Sequence, residues 1–374
     1  TIVEAANSVI QNNKKQIKKN VWTSNEKGEK IIVVKATSDN EESKLVANTI
    51  HDIKIQNSSE NKEFTILYRT NAQSRALEES LRKSNLPYKI FGGLSFYQRK
   101  EIKDLLAYYR LTINPNDEEA FRRIINFPAR GIGITTIQRL NTFAINHNIT
   151  IWEVINNLKK IEININNGTQ NKLINFSEMI NGFIIKSQKE EAYEIAETIA
   201  KETGIINTLY SDKTPEGINR LENIQELLNG IKVFSEENDI NSNKLTHFMQ
   251  EVSLLTDQDL ESPEDFNKIN LMTMHAAKGL EFPYVFIVGL EEDLFPSMMS
   301  KESQEQMEEE RRLFYVAITR AQKRLFISFA SNRFKWGQFI DCQVSRFISE
   351  LDPKLVDKKE MLEINQPKRH KINL

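Results

Sequence analysis

Cysteine is almost absent from this sequence. The single Cys342 excludes an internal disulfide and points to a reducing compartment. With five scattered histidines, it also leaves no zinc-binding spacing. Long apolar runs are missing too, so no stretch is long enough to cross a bilayer as a helix, and the opening TIVEAANSVI is no secretory signal. Neither sign of charge dominates: the formal net charge is −2. Bulk charge therefore does not advertise nucleic acid, although basic side chains can still line one groove. None of the 13 glycines is followed by lysine, which removes the phosphate-cradling G-x-x-x-x-G-K-[ST] loop.

What remains is a soluble globular balance, 39% hydrophobic and 27% charged. A chain of 374 residues is too long for one ordinary core and suits two domains. Thr1 opens inside an amphipathic pattern, which makes a piece of a longer protein the expectation. Asn- and Lys-rich stretches such as EININNGTQNK read as surface composition without function.

Strand and helix patterns alternate at both ends. IIVVKA (31–36), FTILYRT (64–70) and YKIFGG (88–93) read as strands. Helices are predicted over 39–53, capped by Asp39 or Asn40, and over 72–85 and 98–111. From about 114 to 267 every periodic segment is helical. Strands then return at 269–274, 284–290 and 324–330, with a long helix over 304–323. Alternation implies βαβ units and a parallel sheet. The economical architecture is one α/β domain with an all-helical domain inserted into it, since two separate α/β domains would hold three strands each.

Five stretches carry candidate chemistry. In LMTMHAAKGLEFPYVFIVGL (271–290), His275, Lys278, Gly279 and Glu281 follow the carboxyl end of a predicted strand, where open α/β sheets bind ligands. Lys278 offers a point charge for phosphate, Gly279 a close backbone approach and Glu281 an acceptor for a sugar hydroxyl. The same residues also suit a solvated crossover. In EEERRLFYVAITRAQKR (308–324), Arg320 falls on the helical face of Leu313, Val316 and Ala317. There it needs an anion, either a carboxylate or a phosphate. Arg69, Asn71, Gln73 and Arg75 cluster where a strand gives way to a helix, which suits anion binding or plain capping. Trp336, between Lys335 and Gly337, suits base stacking or burial under a loop. FPARGIGITT (127–136) places Gly131 and Gly133 at a helix start, for duplex phosphate or for an ordinary inter-helix turn.

The order of these stretches carries more than any one of them. LYRTNAQSRALEESL, GGLSFYQRKEIKDLLAYYRL, ARGIG, INLMTMHAAKGLEFPYVFIVGLEEDLFP, EEERRLFYVAITRA and the final SRFISEL resemble the carboxyl-terminal half of superfamily 1A DNA helicases of the UvrD and PcrA type. The resemblance implies a RecA-like domain 2A in two parts, 1–114 and 268–355, an inserted helical domain 2B over 115–267, and a tail over 356–374. It implies that Arg320 is an arginine finger on the γ-phosphate, that Glu281 contacts the ribose, and that Gly279 shapes the nucleotide-binding segment. His275, Lys278, Asn71, Arg69, Arg75 and Trp336 would face single-stranded DNA. Arg130, Gly131, Gly133, Thr135 and Arg220 would approach duplex.

The implied ligand is ATP with Mg²⁺, bound jointly with a 1A domain, and no metal ligand is expected in this chain. Implied partners are single-stranded DNA, single/double-strand junctions, an amino-terminal 1A/1B half and repair proteins, with no membrane. The implied location is the bacterial cytoplasm, at the nucleoid. The Walker A and B motifs, the adenine-binding Gln segment and the motif IV arginine have no counterpart here, so the chain should not hydrolyse ATP or unwind DNA alone. Two rivals are a stand-alone, non-catalytic DNA-binding or protein-docking module, and a helicase–nuclease subunit of the RecB group. Against the latter, no nuclease carboxylate cluster follows residue 330.

Overall fold

Short β-branched runs and amphipathic stretches become strands and helices largely where their periodicity places them. The computed structural model describes residues 1–15, 22, 28–239, 242–258, 266–335 and 337–360. In chain order, α1 (Ile2–Ile10), β1 (Ile31–Ala36), α2 (Asp39–Asn57), β2 (Phe64–Tyr68), α3 (Ser74–Lys83) and β3 (Tyr88–Ile90) come first. A run of helices follows: α4 (Lys100–Ile113), α5 (Glu118–Ile124), α6 (Ile134–His147), α7 (Ile151–Asn156), α8 (Asn167–Ser187), α9 (Ala192–Glu202), α10 (Ile205–Ser211), α11 (Pro215–Glu237) and α12 (Leu245–Gln258). Then come β4 (Ile269–Thr273), β5 (Phe282–Ile287), α13 (Gln304–Ile318), β6 (Ala321–Ala330), β7 (Asn332–Lys335), β8 (Gln338–Asp341), α14 (Arg346–Ser349) and β9 (Val356–Glu360).

The chain divides into two compact units, 1–95 with 262–374, and 96–261. The first is built on a seven-stranded sheet in the order β3-β4-β2-β5-β6-β1-β9. Every pairing in it is parallel. All strands therefore start at one edge, the amino edge, and end at the other, the carboxyl edge. Alternating side chains feed two cores. Val33, Leu67, Met272, Val285 and Ile327 pack with α1, α13 and α14. Ile66, Tyr68, Leu271, Phe286 and Phe326 pack with α2 and α3. This layered parallel sheet is consistent with the RecA-like α/β class that the sequence implied.

Caps set where helices begin. Ser38, rather than Asp39 or Asn40, caps α2: its hydroxyl accepts from the Glu41 amide at 3.2 Å. Ser303 does the same for α13. Residues 356–360 are no tail: β9 lies beside β1 and pairs Val33 with Lys358. The rest of the expected tail, 361–374, lies outside the described residues.

The second unit is helical throughout its described residues. It starts at Phe96, well before the expected 115. The reason is α4, whose buried Leu105, Tyr108, Tyr109 and Leu111 belong to the helical core. Within this unit, Arg99 donates to Asn223 at 2.8 Å, and Asn223 donates to Glu101 at 2.6 Å, tying α4 to α11.

Candidate nucleotide and nucleic-acid site

The segment between β4 and β5 is the structural key. β4 ends at Thr273 and the parallel β5 begins at Phe282. Eight intervening residues must therefore run from the carboxyl edge back to the amino edge, passing over β2. They do so in successive turns, with Ala276 donating to Thr273 at 3.0 Å and Leu280 to Ala277 at 3.1 Å. Met274 and Ala277 anchor the run in the core that holds α13. Gly279 supplies a turn at φ +88°, a left-handed conformation that disfavours a β-carbon. Only the start of this segment lies at the carboxyl edge, where the strand-end argument placed all of it.

Glu281 lies at the amino edge, and so does Arg320. The helix expected to reach 323 ends at Ile318, so Arg320 sits in the turn after α13 and not on its apolar face. The Phe282 amide donates to the Arg320 carbonyl at 2.9 Å, pinning the starts of β5 and β6 together. The guanidinium donates to the Val316 carbonyl at 3.0 Å, the Leu280 carbonyl at 2.8 Å and the Thr319 hydroxyl at 3.0 Å. All three acceptors are neutral. Among the described residues no carboxylate pairs with Arg320, so its charge is oriented but not cancelled. One residue past Leu280, the exposed Glu281 carboxylate accepts from Gln322 at 3.3 Å. Gln322 is a neighbour that the sequence reading missed, because strand β6 begins earlier than its apolar run.

The carboxyl edge gathers a different set. His275 is exposed, but packing around its ring and the Arg69 cation lower its imidazole below the usual range, leaving it neutral near pH 7. Lys278, midway along the crossover between the two edges, is exposed and has no ion pair among the described residues. Asn71 is exposed at the first position of a short 3-10 turn. That turn is closed by Gln73, whose side-chain oxygen accepts from the Arg69 and Thr70 amides at 2.9 Å each. Two arginines expected here are otherwise engaged. Arg69 forms a forked pair with Glu310, at 2.7 Å for Nη2. Arg75 is 2% exposed and donates to Glu79 at 2.9 Å. Glu79 lies one helical turn away and was legible in principle; Glu310 is 241 residues away and was not. Trp336 lies outside the described residues.

In the helical unit, residues 126–133 form a tight loop. Asn126 accepts from the Arg130 and Ile132 amides at 2.9 and 3.1 Å. Arg130 was expected to reach outward, yet its guanidinium turns in. It donates to the Ile124 and Phe127 carbonyls at 3.0 Å, to the Pro128 carbonyl at 3.3 Å and to the Tyr108 hydroxyl at 2.6 Å. It also stacks over Phe176 at 5.2 Å. What the loop exposes is Gly131, at φ +68°, then Gly133, Ile134 and Thr135 at the start of α6. Gly133 supplies no side-chain cap, so the first amides of α6 are left for another acceptor. Arg220 on α11 is exposed and has no ion pair among the described residues. Replacing Arg130 by Ala should lower the stability of the helical unit by about 1–3 kcal/mol, the range for losing charge-assisted hydrogen bonds. A thermal unfolding midpoint unchanged in that variant would contradict the inward role.

Comparison with known proteins identifies the family of the chain. A model of the UvrD-like helicase C-terminal domain matches residues 1–332. The ATP-dependent DNA helicase PcrA of Staphylococcus aureus (strain Mu50 / ATCC 700699) is 39% identical over 359 residues, which is 96% of this chain and 48% of the relative. The PcrA of Staphylococcus epidermidis (strain ATCC 12228 / FDA PCI 1200) is 40% identical over 360 residues, 95% of this chain and 48% of the relative. The chain thus spans about half the length of these curated relatives. With the family model covering most of its length, this chain belongs to the UvrD-like helicase C-terminal domain family.

Proposed function

We propose that this chain is the carboxyl-terminal half of an ATP-dependent 3′-to-5′ DNA helicase, with the sheet unit as domain 2A and the helical unit as domain 2B. The observation that carries this reading is the uncancelled guanidinium of Arg320 beside Glu281 at the amino edge. A cation held by three neutral acceptors is prepared for an incoming anion at little reorganisation cost. The exposed carboxylate next to it suits a ribose hydroxyl. ATP would supply the transferred phosphoryl group, its triphosphate and Mg²⁺ being held by a 1A domain. Arg320 would then stabilise the charge that develops during transfer. Because the phosphate cradle and the water-activating acid are not in this sequence, this half is inactive by itself.

Nucleic acid would bind the opposite edge. Asn71 and neutral His275 suit single-stranded DNA there, with Lys278 following on the crossover segment, while Arg69 and Arg75 act as supports. The segment 274–281 joins the two edges, so closure around nucleotide would be felt where DNA lies. In the helical unit, Gly131, Gly133, Thr135 and Arg220 would meet duplex, with Arg130 shaping the loop. Repair proteins are the further partners this reading admits.

Binding of a 3′-tailed duplex by the complete protein at several salt concentrations tests this. Each neutralised phosphate contributes a slope of about −0.9 on duplex and −0.7 on single strand. Two such contacts, Lys278 and Arg220, predict about a tenfold loss of affinity between about 50 and 200 mM salt. Binding that ignores salt, or no binding, would overturn the DNA assignment.

A further inference from the structure

Three hydrogen bonds tie residues 280–282 to residues 320–322 at the amino edge. The Arg320 guanidinium donates to the Leu280 carbonyl at 2.8 Å, and the Phe282 amide donates to the Arg320 carbonyl at 2.9 Å. Between them, the Gln322 side-chain amide donates to Glu281 Oε2 at 3.3 Å. The first two bonds set the backbone on either side of Glu281. Among the described residues, only the third reaches its carboxylate.

Gln322 reaches it because β6 is irregular near its start. Phe282 pairs with Ala321, but Tyr284 pairs with Arg324. One residue of β5, Pro283, therefore faces two of β6, Gln322 and Lys323. Proline has no amide to give the ladder, and an extra residue on one strand re-aims the side chains around it. Strict alternation would turn either Gln322 or Lys323 inward, yet both are exposed.

The neighbouring cations are engaged elsewhere. Lys323 lies 3.8 Å from Glu63, and Arg324 pairs with Glu29 at 2.9 Å. Glu281 has no ion pair among the described residues. Its carboxylate is thus oriented by a neutral amide, much as the Arg320 guanidinium is oriented by neutral acceptors. A neutral donor directs Oε2 without cancelling the charge, and it leaves Oε1 to accept from a ligand.

We propose that Gln322 is a positioning residue for the sugar of the nucleotide: it holds Oε2 of Glu281 so that Oε1 meets a ribose hydroxyl. This rests on the reading of Glu281 as the ribose contact. Without Gln322, the exposed carboxylate would turn freely among its rotamers, and the sugar would have to order it on binding. The loss therefore falls on nucleotide affinity and not on phosphoryl transfer, which Arg320 serves.

The test uses the complete protein at saturating DNA. It compares ATP with 2′,3′-dideoxy-ATP, which keeps the base and triphosphate but lacks both sugar hydroxyls. Gln322→Met keeps the length of the side chain and removes the donor. It should raise KM for ATP about three- to fivefold, the size of one ordinary hydrogen bond. Turnover at saturating ATP should change less than about twofold, and KM for the dideoxy nucleotide should not move. Glu281→Ala should raise KM for ATP at least as far, and adding Gln322→Met to it should change nothing more. Both side chains are exposed, so circular dichroism should show each variant folded. An unchanged KM for ATP in Gln322→Met, equal rises for the two nucleotides, or a further rise on top of Glu281→Ala would overturn the positioning role. A wild-type protein that does not distinguish the two nucleotides, with no effect of Glu281→Ala, would instead overturn the ribose reading beneath it.

Discussion

Replacing Arg320 by Ala in the complete protein should reduce ATP turnover about 10³-fold or more, the lower end of the effect of arginine fingers. Affinity for single-stranded DNA should stay within about threefold, because Arg320 lies at the amino edge and the candidate DNA residues at the other. The fold should survive. The guanidinium bonds carbonyls of Leu280 and Val316 at a solvent-accessible edge, and water can take over those acceptors. Arg320→Lys should be nearly as damaging, since an ammonium cannot hold Leu280, Val316 and Thr319 and still present a fork to phosphate. Steady-state turnover with a filter-binding control checks both. Near-normal turnover in Arg320→Ala would remove the arginine-finger assignment, whatever the DNA result.

The second large effect concerns stability. Phe295 is fully buried, with its ring 5.9 Å from Phe314 and 5.3 Å from Phe347, both edge-to-face. Phe314 and Phe347 are themselves stacked at 5.6 Å. This trio joins α13, α14 and the loop after β5. Phe295→Ala should cost about 3–5 kcal/mol, combining lost transfer energy with a cavity the neighbours cannot close. Against a total of about 5–15 kcal/mol for a typical domain, that is a large share. Denaturant unfolding should show the sheet unit melting early while the helical unit is unmoved. A cost under about 1 kcal/mol would mean that the trio collapses into the gap.

Several features were readable from periodicity because they are local. The strand 31–36 matches β1 residue for residue, and α2, α3 and α4 fall near their expected places. The helix-only middle was equally visible. Errors arose where a local pattern was asked a tertiary question. An amphipathic helix shows that it has an apolar face, not which core that face enters; α4 therefore read as part of a βαβ unit. Strand β9 carries VDKKE, too polar to be seen as a strand, and forms because β1 offers it an edge. Strands β5 and β6 start before their apolar runs, so Glu281 directly precedes β5 at the amino edge and Arg320 lies in the turn before β6 instead of on the expected helix.

The candidate site divides the same way. Which residues are candidates was legible from the order of the motifs. Which of them are free to use it was not. Arg69, Arg75, Arg130 and Arg320 look alike as letters. Arg75 is paired one helical turn along its own helix, and Arg130 is folded onto carbonyls of its own loop. Arg69 is cancelled by Glu310 from a distant helix, and Arg320 is bonded to neutral acceptors only.

By itself, the sequence determined the alternation of strands and helices, the helical middle, the family and the absence of a phosphate-cradling loop, since each is a matter of local spacing. Only the tertiary structure decided which arginine keeps its charge and which edge each candidate occupies. Those depend on a parallel sheet that sorts every strand start to one side, and on carboxylates brought from far along the chain.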